Sequence, residues 1–230
     1  MSKADVSFTG NISLSEILMR KYFVQLLIAT MTGCANGIPD IKSEIEDEIE
    51  ASNEKIFVGL PVFASLEGTT VRLDESWLLT AKHNRAILTL QGAEVHYHPY
   101  CDIALVRNHG LPQTKVGLVY SGDDVSHIGY PIGLPISSSK GLYIGDIFVD
   151  GWDKCQKSAS TGVVMAGMSG GGVYNKDGEL VGINHGYTNG IITWSNNHVE
   201  ERPAIFVSLY TVKDWLQSIT GKDYFDATDS

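Results

Sequence analysis

"GMSGGGVYNKDGELVGINHG", residues 167–186, sets glycines at 167, 170, 171 and 172 around Ser169 and then runs directly into an alternating apolar segment. Glycine surrenders backbone order, so this density around one hydroxyl needs a reason. A turn is one reason; close approach of another group to the serine is a second. The downstream half, "VYNKDGELVGI", reads as a β-hairpin with Asp177-Gly178 supplying the turn.

The same texture extends outward in both directions. "KIFVGLPVFAS", "TTVRLD", "SWLLTAKH", "AILTLQ", "AEVHYHP", "DIALVRN", "VGLVYSG", "SHIGYP", "GLYIGDIFVDG", "ASTGVVMAG", "GIITWSN" and "AIFVSL" are short apolar or alternating runs separated by turn residues. Many short strands at regular spacing predict an all-β sandwich or barrel. Only the end departs from this. "VSLYTVKDWLQSIT" carries apolar residues at 209, 212, 215, 216 and 219, which predicts a helix over about 208–220 with Gly221 as its stop.

The chain of 230 residues is 43% hydrophobic and carries a net charge of −10, so it has apolar material for a core without help from metals. Its acidity argues against a nucleic-acid partner, because phosphate backbones select basic patches. Residues 19–34, "MRKYFVQLLIATMTGC", have the charged start, short apolar run and small-residue end of an export signal. The ending resembles a bacterial lipobox, which implies cleavage before Cys34 and lipidation of its thiol. Residues 1–33 are thus expected to be an extension plus signal peptide, and the protein an exported, membrane-anchored lipoprotein touching the membrane only through that lipid. Residues 34–54 read as an acidic, solvated spacer with room for a short helix around "SEIEDEIEAS". Cys101 and Cys155 are then left either as a disulfide or as two buried thiols. Cysteine spacing gives no zinc pattern, and no metal or cofactor is expected.

Three residues acquire a chemical logic together. His83 follows the apolar strand "SWLLTA", Asp102 precedes "IALV", and Ser169 lies among glycines. A serine hydroxyl attacks only when a base takes its proton, histidine titrates in the right range, and a carboxylate fixes the histidine tautomer. An oxyanion needs preorganised backbone N–H donors, and Gly167 and Ser169 are the candidates. Asp74, Asp123 and Asp124 are rival carboxylates.

"LLTAKH", "DIALV" and "GMSGGGVYNKDGELVGIN" resemble the histidine, aspartate and serine blocks of chymotrypsin-like (trypsin-fold) serine proteases, in that fold's order His, Asp, Ser. "HIGYPIGLP", residues 127–135, resembles a hairpin of bacterial trypsin-like peptidases, HtrA-type enzymes included. The resemblance implies two packed six-stranded antiparallel β-barrels and a C-terminal helix over residues 55–222, the first barrel about 55–110 and the second about 115–207. It also implies a serine endopeptidase with protein or peptide substrates, in which Ser169 attacks, His83 acts as base and then acid, Asp102 orients His83, and the N–H groups of Gly167 and Ser169 hold the oxyanion. Met168 stands where that family usually has Asp or Asn, and Gly172 where proline is common. A binding module that keeps the fold without catalysis, or a protease acting only on itself, are the alternatives.

By the same resemblance the substrate pocket is lined by Val163, Val164, Asn184, His185 and Gly186. This reads either as a small apolar pocket with His185 at its rim, or as a pocket in which His185 and Thr161 receive an acidic side chain. His96 and His98, in "HYH", are expected to be exposed strand residues.

Overall fold

In the computed structural model the structure describes residues 35–41, 45–60, 64–110, 114–149 and 154–226. The expected signal peptide and the Cys34 lipidation site lie outside these residues. The carboxyl-terminal half is a closed barrel. Strands β7 (Asp124–Gly129), β8 (Ser137–Ile147), β9 (Lys157–Ser160), β10 (Gly172–Asn175), β11 (Leu180–Tyr187) and β14 (Ala204–Ser208) run in the order β8-β7-β10-β11-β14-β9. Antiparallel pairing of β8 with β9 closes the ring. The "VYNKDGELVGI" hairpin is β10–β11, its turn closed by Gly178 N–H to Asn175 O at 3.1 Å. A separate short hairpin, β12 (Ile191–Thr193) with β13 (Val199–Glu201), projects between β11 and β14.

The amino-terminal half differs from the expected six-stranded barrel. Among the described residues it is a five-stranded antiparallel sheet of order β2-β3-β4-β6-β5, formed by β2 (Asn53–Leu60), β3 (Ala64–Arg72), β4 (Trp77–Thr80), β5 (Val95–Tyr97) and β6 (Ala104–Arg107). "AILTLQ", expected as a strand, is instead most of helix α2 (Arg85–Leu90). Its run of Ala and Leu suits a helix as well as a strand. Burial of Ile87 and Leu88 decides between them, because one helical face docks on the sheet while Leu90 points outward.

One apolar core joins the halves. Val71, Leu73, Leu79, Ile103 and Leu105 of the first sheet meet Ile128, Tyr174, Leu180, Ile183 and Val207 of the barrel. The terminal helix, α3 (Lys213–Thr220), follows a 3₁₀ turn at Tyr210–Val212 and contributes buried Leu216, with Gly221 ending it in the left-handed conformation. Fully burying each such Leu or Ile stabilises the fold by about 1.5–3 kcal/mol.

The acidic stretch expected as a solvated spacer is in part packed against the domain. Strand β1 (Asp40–Ile41) pairs with β8, and helix α1 (Asp47–Ser52) rests Ile49 on the core. Ser52 and Asn53 hydrogen-bond the buried Tyr174 hydroxyl at 2.8 Å each. The acidic residues face solvent while Ile45, Ile49, Ser52 and Asn53 turn inward, which explains why bulk composition misleads here.

Candidate functional site

Register places His83 and Asp102 together. In the β4–β6 pair Thr80 lies opposite Ala104, so the chain leaving β4 and the chain entering β6 share one edge of the sheet. His83 sits three residues beyond Thr80, in a 3₁₀ turn (Lys82–Asn84), and Asp102 two residues before Ala104. The carboxylate grips the histidine at two points. His83 N–H donates to Asp102 Oδ1 at 2.9 Å, and the Nδ1–Oδ2 distance is 2.6 Å. Asp102 is 3% exposed and His83 46% exposed, so the carboxylate is hidden and the imidazole reaches the surface.

A second imidazole bonds the same oxygen, with His185 Nδ1 2.5 Å from Asp102 Oδ2. His185 occupies a bulge in β11: Asn184 pairs with Phe206 and Gly186 with Ile205, leaving His185 as the extra residue. That irregularity turns its ring toward Asp102 and places the ring 5.8 Å, edge to face, from that of His83. Burial would raise the Asp102 pKa, but the hydrogen bonds from His185 and His83 outweigh it and hold the carboxyl well below the usual range. Burial lowers the His185 pKa most; its bond to Asp102 opposes this, and the charges of Lys157 and His83 add to it. Facing the carboxylate, His185 Nδ1 serves as a hydrogen-bond donor to Asp102.

Behind the pair, buried Lys157 has its pKa brought down to about 8 by burial, against the pull of Asp102. His98 shapes the loop leading to Asp102. Its Nδ1 accepts the N–H groups of Cys101 (2.8 Å) and Tyr100 (3.1 Å), while burial, then the charges of Lys82 and Lys157, push its pKa down. The expectation of an exposed strand histidine thus fails for His98, which is half-buried and works as a loop acceptor. The two cysteines left open by the sequence are a disulfide, Cys101–Cys155, with Cα atoms 5.0 Å apart. It ties the residue preceding Asp102 to the turn just ahead of β9, the strand that carries Lys157.

The Ser169 loop is clamped from the first sheet. Thr69 N–H and Asn84 Nδ2 both donate to Ser169 O at 3.0 Å, and Thr69 Oγ1 donates to Gly167 O at 2.8 Å. The neighbouring peptide planes are pinned by their carbonyls: Ala166 O accepts from Ile132 N–H at 2.9 Å and Met168 O from Gly171 N–H at 3.0 Å. A trans peptide sets its N–H opposite its C=O. The amides of Gly167 and Ser169 are thereby aimed away from those acceptors, and among the described residues no acceptor takes either. Gly167 has φ +94°, and a Cβ there would lie 2.5 Å from Tyr130 O, so only glycine fits. Ser169 Oγ donates to His185 O at 3.2 Å.

The expected pocket residues separate into two groups. Gly186 and Val163 are partly exposed. Val164 and Asn184 have buried side chains. Val164 packs with Met168 and Ala204. Asn184 Nδ2 donates to Ile128 O, and its Oδ1 accepts from His127 Nδ1 at 2.7 Å. His127 Nε2 in turn faces Ser160 Oγ at 2.6 Å. Asp74, the first rival carboxylate, is bound by Lys222 and Tyr224 far along the chain, and Asp123 caps a turn at Tyr120 N–H.

Buried His127 has its pKa lowered to about 4 by burial, although its bond to Asn184 opposes this. Between its ordinary value near 6.5 and about 4, the unfolded chain binds a proton that the folded chain does not. Stability is therefore full above pH 6.5 and falls as the pH drops, by about 3 kcal/mol at pH 4 from this group. Urea unfolding across pH 4–7 should show a shallower dependence in His127→Gln; identical slopes would remove His127 as the cause.

His83, Asp102 and His185 also bring three ligand atoms within 4.8 Å of one another, the one such group among the described residues. The two N–O separations of 2.5 and 2.6 Å match strong hydrogen bonds rather than two ligands spread around a cation at about 2.0–2.2 Å.

Sequence reasoning brought His83, Asp102, Ser169 and Gly167 to one region, but it missed four contributors. They are His185 as a partner of Asp102, Asn84 as a clamp on Ser169, Lys157 behind the carboxylate, and Asn36, which bonds the pocket segment. Asn84 directly follows His83, which was the one available signal.

No protein-family model matches the sequence, and no curated protein matches it. Solved structures do. The HtrA-type protease AlgW with a tripeptide superposes with a TM-score of 0.56 at 19% identity over 73% of this chain and 60% of AlgW. This chain therefore spans 60% of that protease, less than two thirds of its length. The Rv3671c protease from M. tuberculosis, in its active form, gives 0.58 at 18% identity over 80% of this chain and 88% of that one. The MamO protease domain from Magnetospirillum magneticum gives 0.55 at 18% identity over 75% and 100%. At such identities the likeness concerns the backbone: this chain has the chymotrypsin-like fold of those proteases.

Proposed function

We propose that the protein is a serine endopeptidase using Ser169, His83 and Asp102. The observation that carries this reading is the convergence of all three on His185, whose ring bonds Asp102 beside His83 and whose backbone oxygen accepts the Ser169 hydroxyl. With Nδ1–H given to Asp102, His83 keeps its Nε2 lone pair toward solvent. Rotation of the Ser169 side chain from His185 O toward that nitrogen prepares the attack; such contacts tighten when substrate binds. Nε2 takes the proton as Oγ bonds the peptide carbonyl carbon. The resulting oxyanion is received by the amides of Gly167 and Ser169. The imidazolium then gives its proton to the leaving amine, and water repeats the sequence on the acyl-enzyme.

Commitment of His185 Nδ1 to Asp102 favours a small apolar P1 side chain over an acidic one. Export with lipidation at Cys34 belongs to the same proposal; the Cys101–Cys155 bridge supports it, since such bonds persist in oxidising compartments. The non-catalytic alternative draws on the resting orientation of Ser169 toward His185 O.

A fluorophosphonate probe separates the two readings. Wild type should be labelled at Ser169 and Ser169→Ala should not, with unchanged thermal stability. Folded wild-type protein that resists labelling would leave the fold as a scaffold.

A further inference from the structure

The segment that follows Cys34 in the sequence, "ANG" at 35–37, is built into the walls of the site. Asn36 makes three hydrogen bonds there. Its Oδ1 accepts Val164 N–H at 2.7 Å, and its Nδ2 donates to Gly162 O at 2.9 Å and Arg202 O at 3.0 Å. Ala35 forms an antiparallel bridge with Met165. Gly37 lies so close to Val163 that a Cβ on it would stand 2.8 Å from Val163 Cγ2. Residues 35–37 thus act as an added edge on residues 162–165, which lead directly into the Ala166–Gly167 peptide whose orientation sets one oxyanion donor.

The opposite wall is tied to the same segment. Arg202 Nη2 donates to Ala35 O at 2.7 Å, and its guanidinium lies 4.8 Å from the Tyr187 ring centroid, at the end of β11. Arg202 has φ +54°, a conformation that a non-glycine residue keeps only where its surroundings enforce it. Asn36 on its carbonyl, Gly190 O accepting its N–H at 2.8 Å, and Ala35 O on its side chain supply that enforcement.

We propose that Ala35–Gly37 is an intramolecular brace that holds both pocket walls and the Gly167 peptide in the arrangement that accepts substrate, with Asn36 as its positioning residue. The proposal rests on the serine-peptidase reading. Asn36 touches no reacting atom; it acts through Gly162, Val164 and Arg202. Buried Met168 contacts Met165, the residue bridged to Ala35, with Met165 N–H 3.4 Å from the Met168 sulfur.

The test uses the full chain and compares wild type with Asn36→Ala, Asn36→Asp and Gly37→Ala, well below their melting temperatures. The second-order rate of fluorophosphonate labelling at Ser169 reads the oxyanion geometry. Cleavage of a short apolar peptide, with kcat and KM separated, reads the pocket. Displacement of positioning groups by about 1 Å costs on the order of 100-fold. Asn36→Ala should lose about that much in labelling rate and in kcat/KM, with KM raised and kcat lowered together. Asn36→Asp, which keeps the acceptor for Val164 N–H but neither donor, should fall between it and wild type. Should Asn36→Ala fail to fold, Asn36→Asp and Gly37→Ala decide. Labelling rates within twofold of wild type in the folded variants, whatever their melting temperatures, would overturn the brace. Wild type that is not labelled would overturn the peptidase reading and the brace with it.

Discussion

Asp102→Asn should lower kcat by about 10⁴-fold, the cost of amidating the carboxylate that holds a catalytic histidine in its working tautomer. The direction follows from the contacts. His83 N–H, 2.9 Å from Oδ1, requires an acceptor, so the amide oxygen of the variant settles there. The NH₂ group then faces both imidazoles, where Nδ1 of His83 and Nδ1 of His185 now donate. His83 must accept on Nδ1 and carry its proton on Nε2, which leaves it unable to take the Ser169 proton. His185 Nδ1–H, facing the NH₂ group, also loses its acceptor, which removes the restraint on the residue whose backbone oxygen receives Ser169. Steady-state kinetics with a circular-dichroism check of folding is the measurement. Retention of kcat within tenfold of wild type would exclude Asp102 from the machinery.

Met168→Asp should destabilise the fold by about 3–5 kcal/mol at pH 7, the range for a buried charge without compensation. Met168 is fully buried against Val164 and Ala204. A carboxylate there gains no cation among its described neighbours, so its pKa rises in the folded state and it binds a proton that the unfolded chain has released. Stability of the variant relative to wild type should therefore recover as the pH falls toward 4 and decline as it rises through the shifted pKa. Met168→Leu, which conserves volume and polarity, should cost less than about 1.5 kcal/mol. Denaturant unfolding at several pH values reads both. A Met168→Asp protein as stable as wild type at pH 7 would mean that the site holds a cation or admits water. In the protein as it stands, the segment 35–37 meets this region through backbone and amide hydrogen bonds rather than through a charge at position 168.

Much of this was legible beforehand, for local reasons. Short apolar runs between turn residues gave the β architecture, and the Asp177-Gly178 turn fixed the β10–β11 hairpin. "VKDWLQSIT" followed by Gly221 gave the terminal helix. Each of these depends on residues close in sequence. The misreadings share one cause, which is that the deciding contact comes from far along the chain. "AILTLQ" satisfies both a strand and a helix until the sheet beneath it selects Ile87 and Leu88. The acidic stretch looks solvated until Ser52 and Asn53 meet Tyr174, more than a hundred residues on. Val164 and Asn184 sit in the segments expected to line the pocket, and their side chains are buried by Met168 and Ala204 and by His127, which come from elsewhere in the chain.

The sequence by itself determined the kinds of groups present and their order: a histidine ending one strand, an aspartate beginning another, and a serine in a glycine loop. The need for glycine at position 167 is a tertiary matter, since its backbone angle and the approach of Tyr130 O admit no Cβ. Only the tertiary structure decided which groups share a hydrogen bond. The bulge in β11 sends His185 to Asp102, the paired edges of β4 and β6 bring His83 to the same carboxylate, and the fold returns Asn36 to a loop 126 residues away. Directional bonds of 2.5–3.0 Å depend on sub-ångström placement by strands distant in sequence, and residue order alone does not encode that placement locally.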